Sequence, residues 1–420
     1  MPSLTKNRNI CVIAAVAMFA ITADFAPAFA QTDSRTTTVG GRERPELDAL
    51  GVKRGGFTVF PSVEVSETYE DNIFNDQTGT IDDFITTVTP AVRVLSNWST
   101  HSLRFNGSGD IVRYATNDKE DNEKYKLSTD GRLDIQRDTS VSGLIGYEKS
   151  VEDRGSVDDA NGLTPTEYDV ISLDAGFRNK WNRVSLDSRG TLRRRDFDDV
   201  ATTAGVTNND DRDRDEYKLD VRGEYEILPE YNAFAQVILT SIDYDSAVDD
   251  AGVNRDNEGY EIRGGARIDI SGLLFGDVFV GYISRDYEAA SLNSVDEFSA
   301  GVDLTWNATA LTTVKGGVKR GVSETTLVSS SGNLSTAVNA SVDHELLRNL
   351  ILTGRLGVSR DEFKGTNRED EYIRAGVRAK YMLNRYVYLT LDYDYATRES
   401  NAANSDYDTN KVLFKIRGQL

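Results

Sequence analysis

The sequence predicts an all-β chain, a transmembrane antiparallel up-and-down β-barrel of about eighteen strands. Three observations carry that expectation. From Phe57 to Leu420 apolar and polar residues alternate with period two, and no window shows the i, i+3, i+4, i+7 spacing of an amphipathic helix. The alternating segments run about a dozen residues, roughly twice the usual globular strand. At ~3.3 Å per residue and a tilt near 40°, that length projects onto roughly 30 Å, the thickness of a bilayer core. Finally, short turns alternate with long polar loops along the chain.

The first element is a leader. Lys6 and Arg8 precede an apolar run from Ile10 to Ala23, after which come Pro27 and the small-x-small sequence Ala28-Phe29-Ala30. This pattern predicts a signal peptide over residues 1–30, cut after Ala30. The alternative, a membrane anchor, needs a longer run of ~20 residues. The single Cys, Cys11, falls inside the leader and has no Leu-x-x-Cys lipobox around it, so the exported chain is expected to be held without disulfides. Residues 31–56 are polar and Gly-rich, contain Pro45 and lack periodicity; they read as a periplasmic lead-in. The barrel is expected over 57–420.

Strand faces can be read directly. Tyr260, Ile262, Gly264, Ala266, Ile268 and Ile270 share one face, against Glu261, Arg263, Gly265, Arg267 and Asp269 on the other. Tyr217, Leu219, Val221, Gly223 and Tyr225 oppose Lys218, Asp220, Arg222 and Glu224 in the same way, and Val387, Leu389, Leu391 and Tyr393 oppose Thr390, Asp392 and Asp394. Short turns are expected around Trp98, Asp138, Trp181, Pro229, Leu274, Thr309, Arg348 and Asn384, roughly forty residues apart, one hairpin plus its loops. Longer polar loops lie between them, for example 117–124, 152–167, 198–215 and 249–257. A forty-residue period also suits a β-propeller, but that fold requires four short strands per period and a Trp-Asp signature, which this sequence lacks.

Aromatic placement suggests two interfacial girdles. Trp98, Trp181 and Trp306 stand at short turns with Tyr231, Phe275 and Tyr386, while Tyr114, Tyr125, Tyr147, Tyr168, Phe197, Tyr217, Tyr244, Tyr260, Phe298, Phe363, Tyr372 and Tyr407 stand at the opposite strand ends. Pro61 and Pro90 fall inside the first two strands, where a closed sheet has no edge to hide a missing donor. A shared bulge near the periplasmic rim is the expected solution.

Composition narrows the function classes. The 420 residues carry 68 acidic and 48 basic side chains, net −20, which argues against nucleic acid as a partner. Two His, one Cys and three Met leave little material for metal, thiol or imidazole chemistry, so no catalytic, cofactor-binding or metal site is expected. His101, near Ser99 and Ser102, and His344, within Asp343-His344-Glu345, both fall at the periplasmic rim, away from any Gly-flanked Ser. The acidic run 208–215 lacks the Gly and Glu of a calcium loop.

The charged rows of the strands are the functional candidates. Pore-lining positions are expected at Arg189, Arg193, Arg195, Arg222, Glu224, Arg263, Arg267, Lys315, Lys319, Arg374, Arg378, Asp392 and Asp394. Such residues either set a field that selects solutes or pair across strands and rigidify the wall. Arg193-Arg194-Arg195 is a basic cluster beside the acidic loop: either it contacts an anionic sugar or a lipopolysaccharide phosphate or, in the preferred reading, Arg193 and Arg195 are lumen residues and the acidic loop is a solvated exterior surface.

The stretch Arg44-Pro45-Glu46-Leu47-Asp48-Ala49-Leu50-Gly51-Val52, followed by Gly55-Gly56-Phe57 and by Phe60-Pro61-Ser62-Val63-Glu64-Val65-Ser66-Glu67-Thr68-Tyr69-Glu70-Asp71-Asn72-Ile73-Phe74, resembles the opening of the putative β-barrel porin 2 family of Gram-negative, often alphaproteobacterial, outer membranes. With the hairpin pattern the resemblance spans about Arg44 to Leu420. It implies a porin-like channel in the cell outer membrane, for saccharide passage or, through relatives linked to exopolysaccharide secretion, export of a secreted polysaccharide. The implied partners are outer-membrane lipid and lipopolysaccharide, the barrel-assembly machinery and a periplasmic polysaccharide-export protein. One departure is the final outward residue, Leu420, where such barrels usually carry an aromatic. The alternative reading is a structural or surface-interaction barrel with a plugged lumen.

Overall fold

Eighteen long strands close on themselves in the computed structural model, which describes residues 37–327 and 329–420. The leader expected over 1–30 lies outside the described residues. In chain order the strands are β1 Phe57–Glu70, β2 Asp83–Ser96, β3 Ser102–Tyr114, β4 Asn122–Gln136, β5 Thr139–Val151, β6 Glu167–Trp181, β7 Val184–Phe197, β8 Arg214–Leu228 and β9 Tyr231–Tyr244. The second half comprises β10 Asn257–Ile270, β11 Leu274–Tyr287, β12 Val295–Thr309, β13 Thr312–Ser323, β14 Gly332–Leu347, β15 Leu350–Lys364, β16 Glu369–Met382, β17 Val387–Ser400 and β18 Tyr407–Gln419. Each pairs antiparallel with its sequence neighbour, and β1 pairs with β18 to close the barrel. Among the described residues none of these eighteen strands is left as an edge to template aggregation.

Parity sorts the side chains. Ile145, Ile262, Val280, Leu356, Val377 and Phe414 stand exposed on the outer face, where lipid receives them, while the charged rows turn inward. Short turns join the strands at one end and longer loops at the other, so both mouths differ in construction. At the short-turn rim Trp98, Trp181 and Trp306 project outward, and Phe57 meets Trp98 edge-on at 5.5 Å.

The opposite girdle departs from the sequence expectation. Tyr125, Tyr147, Tyr260 and Phe298 do face outward. Tyr114, Tyr168, Phe197, Tyr244, Phe363, Tyr372 and Tyr407 share the parity of the inward charged rows instead, and Phe197, Tyr244, Phe363 and Tyr372 are buried. Phe275 at the other rim is also on the inward parity. The outer mouth therefore has an aromatic inner lining as well as an outer belt.

The bulge expected at Pro61 and Pro90 does not form. The β1–β2 register is unbroken from Phe57–Ser96 to Glu70–Asp83, with Pro61 opposite Val92 and Pro90 opposite Val63. Pro61 turns its missing donor toward β18 one position beyond the last ladder pair, Ser62–Gln419, and its carbonyl accepts the Leu420 amide at 3.2 Å. Pro90 turns toward β3, where pairing is interrupted between Val88–Ile111 and Ala91–Ser108 without a change of register. Each proline thus removes a bond locally and leaves the alternation of faces intact.

The outer part of the β13–β14 hairpin leans into the barrel. Pairing of β12 with β13 stops at Ala300–Arg320, and Val322 and Leu334, whose parity is outward, bury themselves against Ile283 and Val295 from the inward face. Burying this apolar cluster stabilises the lean. Arg320 and Lys364 both reach Glu297, at 3.3 and 2.6 Å.

Candidate functional site

Hairpin register brings the inward charges opposite one another. Arg193 faces Glu216 and Arg195 faces Arg214 across β7 and β8, so the Glu216 carboxylate is shared by Arg193 at 3.8 Å, Arg195 at 2.9 Å and Arg214 at 3.1 Å. Lower in the wall Arg222 and Arg267 share Glu224 and Asp277, with four contacts between 2.7 and 3.2 Å. Arg263 holds Glu261 at 2.6 Å and stacks over Phe279. Arg378 and Arg355 converge on Asp392 at 2.6 and 3.3 Å, and Arg355 also takes Asp394 at 2.7 Å. Arg374 stacks over Tyr372 at 4.9 Å, and Arg189 lines a small cavity with Asp187, Arg222 and Gln236. Lys319 faces an inner cavity of about 440 Å³, and Lys315 stands apart from these clusters on the same row. Most of these charges are engaged in cross-strand pairs, which fix long side chains against the wall.

Arg194 turns outward, as its parity requires, and reaches Asp215 at 3.5 Å and Asp245 at 2.5 Å on the outer rim. His101 accepts the Asp134 amide at 3.2 Å, and His344 lies 3.0 Å from the Thr312 hydroxyl; among the described residues neither hydrogen-bonds a serine.

Sequence reasoning did not find the residues that narrow the two mouths. At the outer mouth the loop 152–166 folds into the lumen instead of standing above it. Its Glu152 pairs with Arg212 at 2.6 Å, its Arg154 with Glu120 at 2.6 Å, and its Gly155 carbonyl accepts Arg398 at 2.7 Å from the far wall. Asp158 meets the inward-leaning β13–β14 loop, accepting from the Thr325 and Thr326 hydroxyls and the Thr326 amide, each at 2.9 Å. That loop is pinned in turn by buried Arg255, which donates to the carbonyls of Thr325, Thr326, Leu327 and Ser330 at 3.0 to 3.3 Å and to Asp249 at 2.6 Å. Burial pushes the Asp249 carboxyl up, but the Val253 amide and Arg255 hold it below its ordinary value. The only sequence signal for Arg255 is that it is a lone cation in an acidic loop.

The inward loop separates two cavities. One, about 350 Å³, is lined by Tyr168, Phe197 and Tyr244 with Arg195, Arg212 and Arg214; the other, about 440 Å³, by Phe363, Tyr372 and Tyr407 with Arg374. Burial raises Asp159 to about 6 despite Arg154 at 3.8 Å, and burial likewise raises Asp213 to about 6.

At the other mouth the described part of the lead-in, from Thr37 to Leu50, lies across the inner wall of β13 to β17. The Val39 amide donates to Thr313 at 2.9 Å, and Val39 and Leu47 pack on Ile351, Met382 and Tyr388. Arg44, buried, and Arg42 both pair with Glu345, at 2.7 and 3.1 Å. Gly51, at φ +68°, turns this segment back into a short strand, Val52–Arg54, that pairs with the start of β1; a Cβ there would press into Thr58 and Phe60.

The putative beta-barrel porin 2 family matches this sequence over residues 44–420. The chain belongs to that family. Porins of this architecture reside in the outer membrane, and a closed, inwardly charged barrel with an outward apolar band is a porin-like channel of that membrane. Short turns then face the periplasm and long loops the exterior. No curated protein matches the sequence. Among solved structures, the outer membrane protein OpdK of Pseudomonas aeruginosa is 13% identical with a TM-score of 0.44, covering 86% of this chain and 99% of that one. OccK2 (OpdF) of Pseudomonas aeruginosa is 12% identical with a TM-score of 0.47, covering 86% and 98%. OccAB3 of Acinetobacter baumannii is 9% identical with a TM-score of 0.46, covering 87% and 100%.

Proposed function

We propose that this porin-family barrel passes saccharides across the outer membrane. The observation that supports this reading is the pair of aromatic-lined cavities flanking the inward loop at the outer mouth. A sugar offers an apolar C–H face and a hydroxyl edge; the half-buried Tyr168 and Tyr407 rings receive the first, and the interleaved Arg and Asp groups receive the second. Pore-lining roles fall to the inward charges from Arg189 to Asp394, which keep the lumen polar, with Arg193, Glu224 and Asp392 buried in the wall as partners of their neighbours.

Planar-bilayer recording tests the reading. The purified, folded barrel is expected to conduct ions, and millimolar neutral oligosaccharide is expected to interrupt the current. A folded barrel that carries no current sinks the proposal and favours a plugged, structural barrel, the reading supported by the segments crossing both mouths. Export of a secreted polysaccharide is the finer form of the proposal. It requires both inward segments to swing aside, with a periplasmic export protein meeting the short-turn face and lipopolysaccharide meeting the outer loops. A deletion strain should then secrete less polymer; undiminished yield rejects export.

A further inference from the structure

A cavity of about 440 Å³ lies in the lumen beneath the inward-leaning β13–β14 loop. Its cationic lining comprises Arg195, Arg214, Lys218, Arg263, Arg285 and Lys319, against Glu216, Glu261 and Glu324. Each of these carboxylates is already engaged: Glu216 by three guanidinium groups, Glu261 by Arg263 and Glu324 by Arg285. Lys218, on the inward row of β8, makes no hydrogen bond or ion pair among the described residues. The nearest carboxylate along its own row, Asp220, is taken by the Gln236 amide at 2.7 and 2.8 Å. The cavity is therefore electropositive inside a chain whose net charge is −20. The other side of the cavity is apolar, with Ile238, Ile242, Ile283 and Val322.

We propose that this cavity binds the carboxylate of a small organic anion, the acid group set against Lys218 and the body of the molecule against the isoleucine wall. A compact ammonium with no direct ion-pair partner, in a lining of six cationic side chains against three carboxylates, favours an anion there, and the neighbouring guanidinium groups raise its local concentration. The apolar wall distinguishes a carboxylate carried on a carbon skeleton from a bare inorganic anion. This inference rests on the channel reading and gives it a substrate class, acidic saccharides such as uronates or small organic acids.

The test combines two measurements on the full-length folded barrel. Titration calorimetry in detergent, which needs no conduction, should detect glucuronate but not glucose, and Lys218→Gln should weaken glucuronate about tenfold, the effect of one lost charge-assisted contact. Lys53→Gln, on the exposed short strand at the other mouth, should leave binding unchanged. In planar bilayers glucuronate should block the wild-type current at lower concentration than glucose, and Lys218→Gln should abolish the difference. Benzoate binding as tightly as glucuronate supports the carboxylate site and names organic acids as its source. Inorganic phosphate binding equally well, or Lys218→Gln binding glucuronate like wild type while retaining heat-modifiable mobility, overturns the proposal. Loss of current with retained glucuronate binding would reject the channel and leave the site standing.

Discussion

Asp158 and Thr326, 168 residues apart in the chain, are joined by two hydrogen bonds of 2.9 Å, one from the Thr326 amide and one from its hydroxyl. This contact ties the loop between β5 and β6 to the loop between β13 and β14, and together they span the outer mouth.

Asp158→Ala should release that tie. Hydrogen bonds to a charged acceptor contribute about 1.5–3 kcal/mol each, less where water can replace them, so the docked loop should lose about 2–4 kcal/mol. Single-channel recording is expected to show a larger and noisier conductance. A wild-type trace from the variant would mean that the loop is held elsewhere.

Acid should tighten the same loop. Asp159 has its carboxyl raised from 3.8 to about 6 by burial, with Arg154 opposing the rise and Glu152 and Glu120 adding to it. The docked loop therefore binds this proton more tightly than the undocked one, so protonation favours docking, and the gain accrues as pH falls from about 6 toward 4. Conductance should drop over that window. Asp159→Asn should be docked already at pH 7 and show a flatter response, with Asp213 contributing what remains. A conductance that rises on acidification contradicts the sign.

Arg44→Ala leaves Glu345 buried with Arg42 and Arg348 and without its closest cation. Removing one partner of a buried ion pair costs about 3 kcal/mol. The segment from Thr37 to Leu50 should leave the periplasmic mouth, raising conductance and exposing residues 37–50 to protease. Glu345→Gln should give a weaker form of the same phenotype.

Gly301→Val probes the wall itself. A Cβ at this inward position would overlap the Phe279 ring, which lies over the glycine across the β11–β12 pair. The substitution should cost about 1–3 kcal/mol from overpacking and lower the temperature at which the folded band converts to the unfolded one on a gel. An unshifted conversion temperature would show that the ring moves freely.

The wall was legible in the sequence because period two leaves a residue only two faces. Arg222 and Glu224 share the inward face of β8, and the short turn at Pro229 sets which residues of β9 stand opposite them. Parity also held the answer for the rim aromatics: Tyr244 lies on the same row as Gln236, yet it reads as girdle if rim residues are taken as a group. The proline problem turned on which neighbour Pro61 and Pro90 face, a property of the pair and not of either strand. The constricting loops left no such trace. Asp158 and Arg255 act through partners 70 or more residues away, and no local periodicity records where a loop's backbone turns. Arg44 lies in a stretch that is neither helix nor barrel strand, held by side-chain contacts to distant strands.

The closing ladder runs only from Ser62–Gln419 to Glu70–Lys411, shorter than the fourteen-residue register on the other side of β1. This join pairs the two barrel strands farthest apart in sequence and so carries the highest loop-closure entropy. The segment ahead of β1 passes inside it and grips β13 to β17, so the two chain ends are clasped twice, once edge to edge and once from within. A pull that opens the seam must also strip Val39 and Arg44 from the wall. The piece that narrows the periplasmic mouth is thereby a hasp for the finished cylinder, and freeing the passage and loosening the closure become one mechanical event.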